Sequence, residues 1–373
     1  MQNNDLTYYL ALHFTSGIGS RRLLALYQYF GSAERAFGAS VRELLNVPGI
    51  GKGTIESFIP GREAALEAAH AQIAQLGGDL SIVTYYDEGY PESLKTTYAP
   101  PPLLYVRGNV ELLSDQKLIA IVGSRKTTDY GRRAAKELAE GFAKENVTVV
   151  SGFAKGIDTA AHHAIFEAGG RTIAVLGSGV DVIYPTANTQ FADALIESGR
   201  GIIISELPLG TSPEARNFPW RNRIVSGLSR ATIVVESEIQ GGSMITASLA
   251  LDENRDVFAV PGDIYRLSSS GPNNLIRESR ARLAVSADQI MSELGWIDRP
   301  GANKRPMPIV RTGLSLFENK IVDVLEDAGG PLQVDTLAER AGLEVQDILV
   351  QLLTLEFKSV VRQMAGKQFM LVG

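Results

Sequence analysis

The chain has 373 residues, 45% hydrophobic and 21% charged, in the range of soluble globular proteins and long enough for two or three domains at roughly 150 residues each. It has no cysteine, which excludes disulfides, thiolate metal sites and cysteine nucleophiles together, and no apolar run approaches the ~20 residues of a membrane-spanning helix. Its 36 basic and 42 acidic residues give a net charge of −6, so it is not a uniformly basic nucleic-acid coat, and any such site must be a local basic patch. A cysteine-free chain fits the reducing cytoplasm. The N-terminus, MQNNDLTYYLALHFTSG, carries Asp5 and no basic stretch ahead of its apolar residues, so it reads as helix and not as a signal peptide.

Residues 1–78 read as short helices: DLTYYLALHF, SRRLLALYQYF, SAERAFG, SVRELLNV and the Ala-rich GREAALEAAHAQIAQLG. Within them LLNVPGIGKGTIESFI has the form of a helix-hairpin-helix, whose Gly49 and Gly51 would bring backbone amides to a DNA phosphate beside Lys52. TSGIGSRRLLALYQYF repeats the GIG turn. Lys52 is the only cation of that hairpin, which favours the alternative, a sterile-alpha-motif-like bundle in which the glycines merely turn the chain.

Residues 79–298 begin with a connector containing one strand-like run, LSIVTYYD, and then YPESLKTTYAPPPLLYVRG, where Pro100, Pro101 and Pro102 forbid helix. From Leu118 the pattern alternates strand, Gly-containing turn and helix. The strands LIAIVGS, VTVVSG, RTIAVLGSG, GIIISE, ATIVVES and DVFAVPG are short β-branched runs with little polar alternation, the mark of burial on both faces. Such βα alternation predicts an α/β fold with a doubly wound, mostly parallel, Rossmann-like sheet, whose ligands sit at the carboxyl ends of the strands. A Pro/Gly-rich linker, 299–313, leads to residues 314–373, where three helical patterns and a terminal hairpin predict a winged-helix-like domain.

Three segments carry candidate chemistry. In IAIVGSRKTTDYGRRAA a buried strand ends at Gly123, and Ser124 and Arg125 follow ahead of a helix. Backbone amides at such a turn make an anion site, and Arg125 would clamp a phosphate. In SGFAKGIDTAAHH, Ser151, Gly152 and Gly156 leave the backbone bare and Lys155 supplies charge. Asp158 is expected to cap the following helix, with His162 one turn on; no nucleophile is fixed beside this pair, so it reads as structural and His163 as a surface residue. In EARNFPWRNRIVSGLS, Asn217, Phe218, Trp220, Arg221, Asn222 and Arg223 mix rings, amides and cations, the combination single-stranded nucleic acid takes for base stacking, base edges and phosphates. Gly241, Gly242 and Ser243 then precede another helix on the same predicted edge. The chain has neither GxGxxG nor GxxxxGK[ST], so dinucleotide and ATP sites lose their fingerprints. Four histidines without HExxH spacing argue against a metal. No cofactor is expected.

Taken in order, YP-x-x-L, VGSR-x-x-T-x-YG, SG-x-A-x-GID-x-x-AH, TIAVLGSG with YP after it, ISE, FP-x-RNRI, GGS-x-ITA and VPG run from Tyr90 to about Ile276. In these motifs the chain closely resembles the DNA-processing protein A (DprA/Smf) family. The resemblance implies an extended Rossmann-like domain that binds single-stranded DNA in a positive pocket. It further implies self-association as a homodimer, no enzymatic activity, and loading of the RecA recombinase onto DNA taken up in natural transformation. By position Arg125 and Lys155 would bind the backbone, and the FPWRNR segment would line the pocket. The chain departs from the family pattern at Ala99, at Gly241, and at Ser279 and Arg280, where Gly-Ala is common.

The rival class is a nucleotide-processing enzyme of the lysine-decarboxylase-like group, whose PGG-x-GT-x-x-E signature QGGSMITA lacks at its Pro, second Gly and Glu. A transcription factor acting through the winged helix is a third reading. From Leu314 to Gly373, however, five cations face nine anions, a net of −4, which predicts a protein-contact or regulatory module there.

Overall fold

The computed structural model describes residues 3–297, 314–328, 330–358, 360–364 and 368–371; the expected linker, 299–313, lies outside them. Contacts group the chain into two units, Met1–Ile297 and Asp298–Gly373.

The first unit opens with α1 (Asn3–Phe14), α2 (Ser20–Phe30), α3 (Ala33–Gly38), α4 (Val41–Leu44) and α5 (Lys52–Ile73). Local chemistry sets their ends. α2 stops at Gly31 in the left-handed region (φ 71°), Ser32 accepts the Arg35 N–H at the start of α3, and Ser40 and Glu43 close a reciprocal capping box on α4. α5 corrects the expected break between a hairpin helix and an Ala-rich one, because it runs unbroken through Pro60. Proline forfeits one backbone hydrogen bond there, and burial of Ile55, Phe58, Ala65 and Ala69 in the bundle core offsets the loss. Arg22 ties the two GIG turns together by donating to the carbonyls of Gly17 (2.7 Å) and Gly49 (3.0 Å).

The bundle leads into β1 (Leu80–Thr84), α6 (Glu92–Lys95) and β2 (Leu103–Gly108). β2 was expected only as connector. It is a strand, antiparallel to both β1 and its other neighbour, and the preceding prolines deliver it already extended. The alternating body follows in chain order: β3 (Leu118–Val122), α7 (Asp129–Lys144), β4 (Thr148–Ser151), α8 (Ile157–Glu167), β5 (Thr172–Val175), α9 (Thr189–Glu197), β6 (Gly201–Ser205), α10 (Asn217–Leu228), β7 (Ala231–Val234), α11 (Gly242–Asp252), β8 (Asp256–Ala259), α12 (Leu267–Arg277), β9 (Arg282–Leu283) and α13 (Ala287–Glu293). All six expected strands are present. Their sheet has the order β1-β2-β6-β5-β4-β3-β7-β8-β9 and is parallel from β6 to β9. β3 is buried along its whole length, as expected of a strand covered by helices on both faces. After α12, Ser279 adopts the left-handed region (φ 56°), the conformation that explains why glycine is common there.

The second unit contains α14 (Leu316–Ala328), β10 (Leu332–Gln333), α15 (Val334–Ala341), α16 (Val345–Phe357), β11 (Val361–Met364) and β12 (Gln368–Leu371), with strand order β10-β12-β11. Three helices and a small sheet enclose Ile321, Leu325, Leu337, Ile348, Leu352 and Phe369, which is a winged-helix arrangement. Buried Glu318 is satisfied by the Ser315 N–H and by Lys358 at 2.8 Å.

Candidate nucleic-acid interface

The sheet has a topological switch point. From β3 the chain builds outward through β4, β5 and β6, then crosses back to lay β7 on the other side of β3. The loops leaving β3 and β7 therefore part in opposite directions and leave a crevice at the carboxyl ends, where open α/β sheets bind ligands. A cavity of about 790 Å³ occupies that place. Its walls are Gly123, Ser124 and Arg125 after β3; Gly152, Ala154 and Asp158 after β4; Phe218, Arg221 and Asn222 of α10; and Gly241, Gly242 and Ser243 at the start of α11.

Arg125 is exposed, makes no ion pair among the described residues, and holds its guanidinium 5.1 Å from the centre of the Phe218 ring. Tyr184 packs against the same ring, tilted, with the two ring centres 5.6 Å apart. Sequence reasoning missed Tyr184; its signal was the YP that follows TIAVLGSG. Gly241 begins α11 without a side-chain cap, and no acidic residue occupies the first turn. The positive end of this helix is thus presented to the cavity. One exposed carboxylate, Glu238, stands on the rim.

The other two expected helix N-termini are already occupied. α7 begins at Asp129, beyond the Ser124–Arg125 turn, and buried Glu236 fills its N-terminus, accepting from the Thr128 N–H (2.9 Å) and from the hydroxyls of Thr127 (3.0 Å) and Thr128 (2.6 Å). Asp158 does not cap α8. It lies inside the helix, buried, and its carboxylate turns back to accept backbone N–H groups of Gly152 (3.1 Å), Ala154 and Gly123. The bare amides expected at these two strand ends are therefore neutralised from within, since two adjacent parallel strands point them at one buried acid. Burial raises the Asp158 pKa, while Arg221 and the amides pull it down.

Arg221 departs from expectation in the same way. It is 5% exposed and donates to the carbonyls of Gly152 and Val175, so it forms the floor of the cavity. Burial lowers its pKa to about 10, against the attraction of Asp158. Ser151 is buried and donates to the Ile121 carbonyl (2.6 Å). Gly156, at φ 90°, lies against the Ser124–Arg125 backbone, and Lys155 beside it is exposed on the same loop. Asn217, Trp220 and Arg223 are not part of the cavity wall. Trp220 is 55% exposed, and Arg223 lies under its ring (4.6 Å) in an ion pair with Glu206.

His162 is buried with Nδ1 2.6 Å from the Thr172 hydroxyl, which also lies 2.7 Å from the Val149 carbonyl. Burial, then the charges of His163 and Arg221, pull its pKa down to about 3. His163 is half-buried at the surface and stacked on Phe191 at 3.8 Å.

Comparison with known proteins places this geometry. The family described as DNA recombination-mediator protein A matches residues 81–295, and the DprA winged helix domain matches residues 311–367. The protein Smf of Synechocystis is 33% identical over 99% of both chains. The crystal structure of DNA processing protein A from Streptococcus pneumoniae superposes with a TM-score of 0.67 at 34% identity, covering 77% of this chain and 97% of that one. DNA processing protein A from Helicobacter pylori, solved for its single-stranded DNA binding mode, gives 0.52 at 28% identity over 57% of this chain and 95% of its own.

Proposed function

The chain belongs to the DNA recombination-mediator protein A (DprA/Smf) family, and we propose that it binds single-stranded DNA in the switch-point cavity as a recombination mediator. The observation that carries this reading is Arg125, exposed and unpaired among the described residues, stacked on Phe218 and facing the uncapped start of α11. A strand laid there meets a cation and open amides for its phosphates and a ring for a base. Gly123, Ser124, Gly152, Phe218, Arg221, Asn222, Gly241, Gly242 and Ser243 line the proposed site. Lys155 contributes charge from the adjoining loop, while Ser151 and Gly156 hold that loop in place.

The finer reading extends the same proposal. The protein works in the cytoplasm as a homodimer, protects incoming single strands during transformation and loads RecA onto them, with no chemistry of its own. The domains divide as 1–78, 79–298, a 299–313 linker and 314–373, and the last serves protein contact or regulation. The test is a binding titration with single- and double-stranded oligonucleotides of one sequence at two salt concentrations. Single-strand preference that weakens with salt is the expected result; equal affinity for both forms, or none, overturns the reading.

A further inference from the structure

The proposed cavity leaves Trp220 unexplained. An indole more than half in water is costly for a ring of this size, and this one is held in place on two sides. Its Nε1–H donates to Glu206 (3.1 Å), and the Arg223 guanidinium lies 4.6 Å from its centre. Arg223 in turn donates to the Ala99 carbonyl (2.8 Å) and pairs with Glu206. Immediately beside Ala99, Tyr98 is 74% exposed and is built the same way. Arg21 lies 3.8 Å from the centre of its ring and donates to its carbonyl (3.1 Å), while Glu253 accepts its N–H (2.8 Å). Ser20, next to Arg21 at the start of α2, reaches the same Glu206 (3.4 Å). Trp220–Arg223 and Tyr98–Arg21 are thus one connected patch where α10 meets the helical bundle, with the acids Glu206 and Glu253 both engaged.

We propose that Trp220 and Tyr98, each backed by an arginine, form a second base-stacking surface that receives the single strand beyond the switch-point cavity. The proposal rests on the single-strand reading of that cavity. The same helix carries both places. Phe218 and Arg221 of α10 face the cavity and Trp220 and Arg223 do not, so the two lie about one helix diameter apart, ~10 Å. Rings fixed before binding lose little conformational entropy when a base stacks on them. Arg223, neutralised by Glu206, serves to fix the Trp220 ring, while the Arg21 guanidinium against Tyr98, in no ion pair among the described residues, adds positive potential for the passing phosphates. Any base has a face to offer, so this surface takes strands of any sequence.

Labelled oligo(dT) of increasing length tests it through anisotropy and tryptophan emission. The chain has two tryptophans, Trp220 and Trp296, so Trp220→Phe isolates the Trp220 signal. Long oligo(dT) is expected to quench wild-type emission and leave that of Trp220→Phe unchanged. The double variant Trp220→Ala/Tyr98→Ala is expected to bind long strands at least about fivefold more weakly, with an unchanged salt slope, because rings release no counterions; Trp220→Phe keeps most of the affinity. Unquenched emission with wild-type affinity in the double variant, while Arg125→Ala still weakens binding, overturns this inference and leaves the cavity reading intact. Wild-type strand affinity with an altered oligomeric state in the double variant makes the patch a protein contact and overturns it equally. A folded wild type that binds no single strand defeats both readings.

Discussion

At the scale of residues, the arginines near the cavity divide by burial into two roles. Arg221 is a structural cation: enclosed, it holds two strand-end carbonyls and balances Asp158. Arg221→Met leaves that acid buried without its counter-charge, and such a loss costs about 3–5 kcal/mol. Urea unfolding of the variant is expected to show a midpoint far below that of Arg125→Ala, which loses only an exposed side chain's contact with the Phe218 ring. Equal midpoints would contradict the division. His162 supplies a pH signature. The unfolded chain takes up a proton below its ordinary value of 6.5, and the folded one only near 3. The unfolded state thus binds more protons between those values, and the destabilisation grows as pH falls from 6.5 toward 3. His162→Gln is expected to flatten the acid limb of a stability-against-pH curve; an unchanged limb would mean that the ring titrates normally.

At the scale of elements, the loop from β4 to α8 is shaped by strain. Buried Phe153 takes φ 59° and Gly156 φ 90°, and a Cβ on Gly156 would stand 2.2 Å from the Ser124 carbonyl oxygen. Gly156→Ala is therefore expected to lose more than the 1–3 kcal/mol typical of a strained backbone position and to displace the Arg125 turn, lowering strand affinity along with melting temperature. Normal melting and binding would show that the clasp is dispensable. Much of this architecture was legible in the sequence. The strands β3 to β8 are short apolar runs, and VGSR and SGFAKG stand at strand ends by that pattern alone. What escaped was partnership over distance. Glu236 lies 108 residues from the Thr128 that it caps, and no local pattern says that an acid there will neutralise α7. Asp158 was legible as a first-turn acid, but not as one turned backward by two neighbouring strands. Arg221 and Arg223 look alike in FPWRNR, and only the helix phase of α10 against the sheet separates the floor of the cavity from a half-buried support under the exposed Trp220 ring. β2 escaped because LLYVRG follows three prolines and joins the sheet antiparallel.

At the scale of the whole molecule, an acidic chain of net charge −6 can hold DNA only through local cations, so the charge of the winged helix itself decides its part in the proposed site. Its third helix, α16, has no lysine or arginine and exposes Leu349, Leu353 and Phe357 at spacings of four, with Val350 beside them. An apolar stripe of this kind suits a protein partner better than a phosphate backbone. A chain ending at residue 311 is accordingly expected to keep its single-strand affinity within about twofold, and a collapse of affinity would return the winged helix to the DNA site. The central claim is that Arg125, with Lys155 on the adjoining loop, neutralises phosphates at the switch point. Its most direct test is the salt dependence of oligo(dT) affinity for the wild type, Arg125→Ala and Lys155→Ala, with melting temperatures measured alongside. The account predicts wild-type melting for both variants, weaker binding across all strand sequences, and a slope of log affinity against log salt reduced by about 0.7 for each lost contact. A full wild-type slope in both folded variants would contradict it and place the DNA elsewhere on the molecule.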